Sequence, residues 1–280
     1  MQRKNNNKDI QANLENSRLN YQETEASSEV INDKTTKGQT LKIYQAINLQ
    51  KAMMPVYLVG LMYYYGNFSD QMIVYSIMHG SYGLLWIIKH FTFPDKSFED
   101  PISIFGAIMI WVLVLGPYLV PGWIIASGYS QEITDKKWIY SNLVVYIFSV
   151  SVMLCSDAQK SHILTIYRQF NLSTKEKPLL INNGFFKYTR NPNYLGEMSL
   201  YFTFAALSNH WISYSIIFMT WAIVLMPGMA KKDESLMRKP GWDQYSQQSW
   251  RLIPKINGSL RDSIIFYSIS ITSIIFFFKA

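Results

Sequence analysis

The sequence has little cysteine, little charge and no common metal-ligand spacing. Cys155 is the only cysteine in 280 residues, which excludes an intrachain disulfide and a cysteine-based metal cluster. Because Cys155 lies in an apolar stretch, we expect it to be an inert, packed thiol. The four histidines form no H-E-x-x-H or similar pattern, so we expect no bound metal. Charged residues make up only 16% of the chain.

Charge is missing altogether from six long stretches of the sequence. They comprise residues 52–69, 71–88, 101–131, 138–156, 198–230 and 263–278. About 20 apolar residues cross the hydrocarbon core of a membrane, and five of these stretches have 18 or more residues. The pattern excludes a soluble single domain, a disulfide-rich secreted scaffold and an extended disordered chain.

The two longest stretches exceed the length of one straight membrane helix. Gly116-Pro117 and Pro121-Gly122 predict a kink in the first, since proline removes a backbone donor and clashes with the preceding turn. Ser208-Asn209-His210 predicts a break in the second, and residues 66–70 predict a tight helical hairpin. We therefore predict an all-α, polytopic membrane protein with about seven transmembrane helices.

The polar remainder of the chain divides into a tail and loops. Residues 1–40 have few large apolar side chains, which predicts a disordered tail before a helical membrane domain at 41–280. With this tail in the cytoplasm, seven spans place 23 of the 26 Lys and Arg residues on the cytoplasmic side. The net charge of +7 is therefore interpreted as an orientation signal rather than as nucleic-acid binding. Both long polar loops, 157–193 and 228–262, are predicted to be cytoplasmic.

The densest group of polar and basic side chains lies at residues 182–197. Asn191-Pro192 predicts an extended residue followed by a helix start, and Arg190 beside that start suits a phosphate or carboxylate ligand. Glu197 lies about one turn into the helix, where an ionisable side chain near a bilayer is a functional candidate. The alternative is that Arg190 reaches lipid headgroups while Glu197 helps to cap the helix.

Two further groups of charged residues flank this one in the sequence. Asp157, Lys160 and Arg168 directly follow the fourth apolar stretch, and a continuing helix would make Asp157 and Lys160 neighbours. Residues 231–254 contain Lys232 and Tyr245 and are typical of an amphipathic interfacial helix. The alternative for the first group is the cytoplasmic end of a span reaching the interface.

One apolar stretch carries a polar stripe. His79, Tyr82, Trp86 and Lys89 follow each other at i, i+3, i+7 and i+10, which places them on one helical face. Polar side chains in a membrane helix are expected to face the bundle interior or a cavity. Aromatic packing with Lys89 reaching the interface is the alternative.

The motifs at 157–254 resemble those of a known family. The run Gly184…Tyr188-Thr189-Arg190-Asn191-Pro192-Asn193-Tyr194-Leu195-Gly196-Glu197 resembles the signature of the steroid 5α-reductase C-terminal family, in an uncharacterised branch of it. Matching positions upstream and downstream are Asp157…Gln159-Lys160 and Lys232…Ser235…Arg238…Trp242…Tyr245…Ile253-Pro254. The shorter Arg-(His/Asn)-Pro-x-Tyr core is also similar to membrane methyltransferases of the isoprenylcysteine carboxyl and phospholipid types, within the same superfamily as the sterol reductases.

The resemblance implies an NADPH-dependent membrane reductase with a cofactor-binding core at 157–254. It would transfer hydride to an activated C=C bond of a lipid-like sterol, polyprenyl or acyl substrate, by default in the endoplasmic reticulum. The alternatives are an S-adenosylmethionine-dependent methyltransferase and a non-catalytic membrane scaffold. Clustered Arg and Lys suit the phosphates of NADPH, whereas the sulfonium of S-adenosylmethionine needs acids and aromatic rings.

The resemblance also assigns roles to individual residues. Asn193, Tyr194 and Glu197 would line the nicotinamide end of the cofactor pocket. The residues expected to contact the rest of the cofactor are Asp157, Lys160, Arg168, Tyr188, Arg190, Lys232 and Tyr245. The tyrosine and acid with which the reductases bind a substrate carbonyl are not visibly reproduced, so Tyr82 and His79 are assigned catalytic roles together with Glu197.

Overall fold

The computed structural model describes residues 41–170, 172 and 178–279. The tail that the sequence predicts to be disordered, residues 1–40, lies outside the described residues. The helices, in chain order, are α1 Ile43–Tyr65, α2 Asp70–Thr92, α3 Ile104–Ala126, α4 Lys136–Gln169, α5 Pro192–Ser208, α6 Trp211–Met237, α7 Trp242–Gln248 and α8 Leu260–Lys279. Two short antiparallel strands, β1 Leu41–Lys42 and β2 Pro101–Ile102, join the start of α1 to the start of α3.

Four of these helices are long and apolar enough to cross a membrane, namely α3, α4, α6 and α8. The prediction of a helical, membrane-embedded protein is confirmed to that extent. All seven segments predicted to span are helical, but α1 and α2 contain no segment that is both long and apolar enough to be a candidate span, and α5 has only 17 residues. Length and composition therefore support four spans among the described residues rather than seven.

The predicted helix breaks occur where proline, glycine and asparagine interrupt the apolar stretches. α3 contains a π-helical turn, Trp111–Leu115, followed by a 3₁₀ turn, Gly116–Leu119. α5 ends where Asn209 adopts a left-handed conformation with φ of 49°. His210 then caps α6, since its side chain accepts a hydrogen bond from the Ile212 N–H.

The prediction for Cys155 is wrong. The thiol is exposed on α4 rather than packed. A membrane helix carries apolar side chains on its outward face as well as toward the bundle, so an apolar stretch does not by itself indicate burial. α4 also continues to Gln169, which confirms that Asp157, Lys160 and Arg168 share one helix.

The core is centred on α2, α4 and α5, where aromatic side chains pack together. Tyr75, Tyr82, Tyr201 and Phe204 are all almost completely buried. Gly196 lets α5 approach α4 closely, because a Cβ at this position would lie 2.5 Å from the Ser149 carbonyl oxygen. This close approach places the start of α5 beside Ser149 and Met153 in the middle of α4, which positions the site described next.

Replacing Gly196 by alanine is expected to destabilise the protein by about 1–3 kcal/mol, the usual cost of an extra methyl group in a tightly packed core. The added methyl would collide with the backbone of α4, which cannot move away as a flexible side chain can. Thermal unfolding of the detergent-purified variant measures the effect. Gly60→Ala is the matched control, since a Cβ at Gly60 has no atom within 4 Å. Equal melting temperatures for the two variants would contradict the packing argument.

Candidate active site

Three adjoining cavities lie between the helices. The inner cavity, of about 300 Å³, is lined by residues of α1 to α6 and of the loop after α2. The outer cavity, of about 160 Å³, lies between α2 and α4, and the side cavity, of about 190 Å³, lies beside α4, α6 and α7. Lys89 and Asp157 line both the inner and the outer cavity, whereas Lys160 lines both the outer and the side cavity. The three cavities therefore adjoin one another through shared wall residues.

An ion pair separates the inner cavity from the outer one. Lys89 on α2 donates to the Asp157 carboxylate on α4, and their side chains are only 10% and 13% exposed. The Lys89 ammonium also lies 4.8 Å from the centre of the Trp86 ring, a favourable cation–π distance. Lys89 is thus held inside the bundle, which confirms that the polar stripe of α2 faces inward.

A lysine on α1 occupies the inner cavity. Lys51 is only 2% exposed, and its ammonium donates a hydrogen bond of 3.1 Å to the Tyr201 hydroxyl. Rings surround this ammonium, with their centres 4.4 to 5.9 Å from Nζ: Tyr82, Trp86, Tyr118 and Tyr201. A Cβ on Gly83 would overlap the Lys51 carbonyl oxygen, so only glycine lets α2 approach α1 at this point.

The first turn of α5 supplies the remaining polar groups of the inner cavity. Asn193, Tyr194 and Glu197 all line it. The side-chain oxygen of Asn193 is buried and has no hydrogen-bond donor within the described parts of the chain. An unpaired buried acceptor is costly, so this oxygen marks a position where a ligand donor would be favourable.

Apolar walls complete the inner cavity, and two of them come from irregular turns of candidate spans. The π-helical turn of α3 contributes Val114 and Leu115, and that of α6, Trp221–Leu225, contributes Val224 and Leu225. π-helical turns within helices occur frequently at functional sites. The π-helical turns of the two candidate spans, α3 and α6, therefore form part of the wall of the inner cavity.

The side cavity is rich in cations. Lys160, Lys232 and Lys239 line it, and the Lys232 ammonium is buried without a hydrogen-bond partner in the described residues. Burial and the neighbouring Lys160 ammonium lower the pKa of Lys239 from its ordinary value. An anionic ligand would supply an acceptor for Lys232 and would offset the repulsion between Lys160 and Lys239.

Tyr245 forms the opposite wall of the side cavity. Its hydroxyl donates to the Phe186 carbonyl oxygen at 2.7 Å, and burial raises the pKa of Tyr245 to about 12. Tyr245 is therefore a neutral group whose hydroxyl ties α7 to the segment before α5.

Arg190 also borders the side cavity, but its guanidinium is already paired. Two of its nitrogens donate to the Asp233 carboxylate at 3.1 and 3.2 Å, and a third donates to the Ser249 carbonyl oxygen at 2.8 Å. Asp233 is 1% exposed and accepts a further hydrogen bond from Arg251. The pairing fastens the segment before α5 to α6 and to the chain after α7.

The structure brings most of the predicted site residues together. Those on the inner cavity are Tyr82, Asp157, Asn193, Tyr194 and Glu197, and those on the outer or side cavity are Asp157, Lys160, Arg168, Arg190, Lys232 and Tyr245. Two predicted residues line none of the three cavities. His79 lies one turn from Tyr82, where its ring stacks on Phe204 at 4.4 Å, and Tyr188 uses its carbonyl oxygen to accept from Trp250 and Lys255.

Sequence reasoning missed Lys51, Tyr118 and Tyr201. Lys51 was counted among the loop cations, because the first apolar stretch begins one residue later. Its spacing from Met54 and Leu58, three and seven residues on, is that of a single helical face, and both of those residues are buried. That spacing is the signal which would have placed Lys51 inside the bundle.

Comparison with known proteins identifies a family but no activity. A model described as protein of unknown function (DUF1295) matches residues 86–249, more than half of the chain, and this family is related to steroid 5α-reductase-like proteins. No curated protein matches the sequence. Within the described residues, no group of three His, Cys, Asp or Glu side chains is placed to hold a metal ion.

Replacing Asp233 by asparagine is expected to lower the free energy of unfolding by about 3–5 kcal/mol, since it leaves the buried Arg190 cation without its carboxylate. Denaturant unfolding in detergent measures this loss. The control is Glu234→Gln, which removes the same charge from an exposed neighbour and should change stability little. Similar losses in both variants would show that the Asp233 pair does not hold the segments together.

Proposed function

The chain belongs to the DUF1295 family, and on this premise we propose that it is a membrane-embedded, NADPH-dependent reductase that transfers hydride to an activated C=C bond of a lipid-like substrate. The observation that carries the proposal is that a cation-rich side cavity and an inner cavity with apolar walls both adjoin the outer cavity. The resemblance of residues 184–197 to the steroid 5α-reductase signature supports the same activity.

The side cavity fits the phosphate groups of NADPH. A buried ammonium without an acceptor is costly, and Lys232 is such a group. Phosphate oxygens would supply the missing acceptors to Lys232, and Lys160 and Lys239 would add charge-assisted hydrogen bonds. Arg190 is not assigned to phosphate binding in this proposal, because its guanidinium already binds Asp233. It forms part of the wall of the side cavity.

The inner cavity fits the nicotinamide end. The unpartnered Asn193 oxygen would accept a hydrogen bond from the carboxamide, and Tyr194 and Glu197 lie on the same turn of α5. The bound dihydronicotinamide would supply the hydride. Asn193 and Tyr194 would orient the ring relative to the substrate.

A lipid-like substrate is supported by the apolar part of the inner cavity. Val114 on α3 and Val224 on α6 belong to helices that are candidate spans, which would place this cavity beside the hydrocarbon region. A ligand pocket of about 300 Å³ or more is typical for a small molecule or for part of a longer one.

The charges favour the reductase over the methyltransferase. S-adenosylmethionine carries a sulfonium cation, which the Lys160, Lys232 and Lys239 ammonium groups would repel. NADPH carries several negative charges and gains from the same groups. The proposal also includes a location in the endoplasmic reticulum with the N-terminus and the cofactor loops cytoplasmic, and the distribution of Lys and Arg supports this orientation.

Purified full-length protein in detergent is expected to be thermally stabilised by NADPH, less by NADH and not by S-adenosylhomocysteine. Lys232→Met should weaken NADPH binding at least about 10-fold, because a hydrogen bond to a charged group contributes about 1.5–3 kcal/mol. Lys231→Met is the matched control, since Lys231 is exposed and lines none of the three cavities.

Two outcomes would contradict the proposal. Stabilisation by S-adenosylhomocysteine without stabilisation by NADPH would indicate a methyltransferase, and methyl transfer from the labelled donor would then be expected to require Glu197. Stabilisation by neither compound would indicate a membrane scaffold without a cofactor.

A further inference from the structure

The exposed tyrosine and tryptophan side chains of the described chain all lie near one set of helix ends. They are the three tyrosines at 63–65, Trp123, Tyr129, Tyr140 and Trp211, which together are called the aromatic end surface below. The three tyrosines end α1, Trp123 lies three residues before the end of α3, and Trp211 begins α6. Tyr140 lies just after the start of α4.

Direct contacts between rings join these helix ends. The Trp123 indole N–H at the end of α3 donates to the Tyr65 hydroxyl at the end of α1, at 3.0 Å. The centre of the Trp123 ring is 5.6 Å from that of Tyr129, which is 5.2 Å from that of His210. His210 in turn neighbours Trp211, with 5.9 Å between ring centres. The rings therefore form one surface that extends from α1 to α6.

Polar contacts fasten the hairpin between α1 and α2 to the same level. The Asn67 side-chain amide donates to the Ile125 carbonyl oxygen of α3 at 2.9 Å. The Lys136 ammonium at the start of α4 lies 3.1 Å from the Asp70 carboxylate at the start of α2. The hairpin, the end of α3 and the start of α4 thus lie side by side.

Exposed phenylalanines do not share this distribution. Phe105 is exposed near the start of α3, at the opposite end of that helix from Trp123, and Phe148 is exposed in the middle of α4. Phenylalanine is wholly apolar, whereas tyrosine and tryptophan combine an apolar ring with a polar O–H or N–H. The segregated property is therefore the amphipathic character of the ring, not aromaticity as such.

We propose that the aromatic end surface binds the lipid interface of a bilayer, the layer in which phospholipid headgroups meet acyl chains. Tyrosine and tryptophan favour this layer because the ring packs against the acyl chains while its polar group meets headgroups and water. The proposal concerns how the protein is seated in the membrane, and it does not depend on the proposed reductase activity.

The candidate spans indicate lipid rather than a protein as the partner. Of the four helices that are long and apolar enough to cross a membrane, α3 ends at this surface, and α4 and α6 begin at it. A bilayer that surrounds these three helices reaches its boundary where they end. It therefore meets the aromatic end surface without any further partner.

The spacing of side chains along α4 supports the same assignment. Lys160 follows Tyr140 by 20 positions on this helix, which corresponds to about 30 Å at about 1.5 Å per residue. The hydrocarbon core of a bilayer is about 30 Å thick. Between Tyr140 and Asp157, α4 contains no Asp, Glu, Lys or Arg. With Tyr140 at one interface, Lys160 and the outer and side cavities that it lines would lie at the other.

Spin labels on single cysteines measure the depth of this surface. Full-length protein carrying Cys155→Ser, which removes the only cysteine, receives Tyr64→Cys or Trp211→Cys and is reconstituted in phosphatidylcholine vesicles. Tyr64 is 82% exposed and Trp211 is 70% exposed, so a label fits at either position. Phe148→Cys in the middle of α4 is the hydrocarbon control, and Gln244→Cys, exposed on α7, is the water control.

Collisions with two reagents locate each label: oxygen, which concentrates in hydrocarbon, and a nickel chelate, which stays in water. Labels at 64 and 211 are expected to collide with both, at rates between those of the labels at 148 and 244. Nickel collisions equal to those at 244 would place the surface in water. Low collision rates with both reagents would show that protein covers it, either a second copy or another chain. Either result would overturn the proposal.

Quenching of tryptophan emission tests the surface without a label. Trp211→Phe keeps an apolar ring at this exposed position, and thermal unfolding checks that the variant is folded. The difference in emission between wild type and Trp211→Phe reports on Trp211. Phosphatidylcholine brominated near the headgroup should quench this difference more strongly than phosphatidylcholine brominated near the end of the acyl chain. Stronger quenching by the second lipid, or none by either, would contradict an interfacial position.

Discussion

The pairing of buried charges is the constraint on which the rest of this structure depends. Inside a membrane protein a charged side chain is costly unless another group compensates it. Asp157 compensates Lys89, and Asp233 compensates Arg190. These two carboxylates fix helices and loops that are distant in sequence, and they do so at the edges of the inner and side cavities.

Two further buried lysine side chains line the cavities. Lys232 on the side cavity has no hydrogen-bond partner among the described residues, and Lys51 on the inner cavity has a tyrosine hydroxyl and aromatic rings instead of an acid. The two lie in different cavities. In the proposed reductase, the phosphates of a polyanionic cofactor would compensate Lys232.

Close helix packing shapes the inner cavity. Gly196 brings α5 against α4, and Gly83 brings α2 against α1, so that Glu197 and Lys51 line the same cavity. The π-helical turns of α3 and α6 contribute apolar walls at the same level. Two tight contacts and two irregular turns thus create a polar interior next to helices that are apolar enough to meet lipid.

The sequence by itself determined the helical segments, their breaks at proline and asparagine, and the inward face of α2, because these depend on neighbours a few residues apart. It also located the Arg190–Glu197 motif at the start of α5. Only the tertiary structure decided which cations are paired internally and which remain for a ligand. Arg190 finds Asp233 across 43 positions and Lys51 finds Tyr201 across 150, and no local spacing records such partners. For the same reason His79, on the predicted face, packs against Phe204 while the inner cavity opens one turn away.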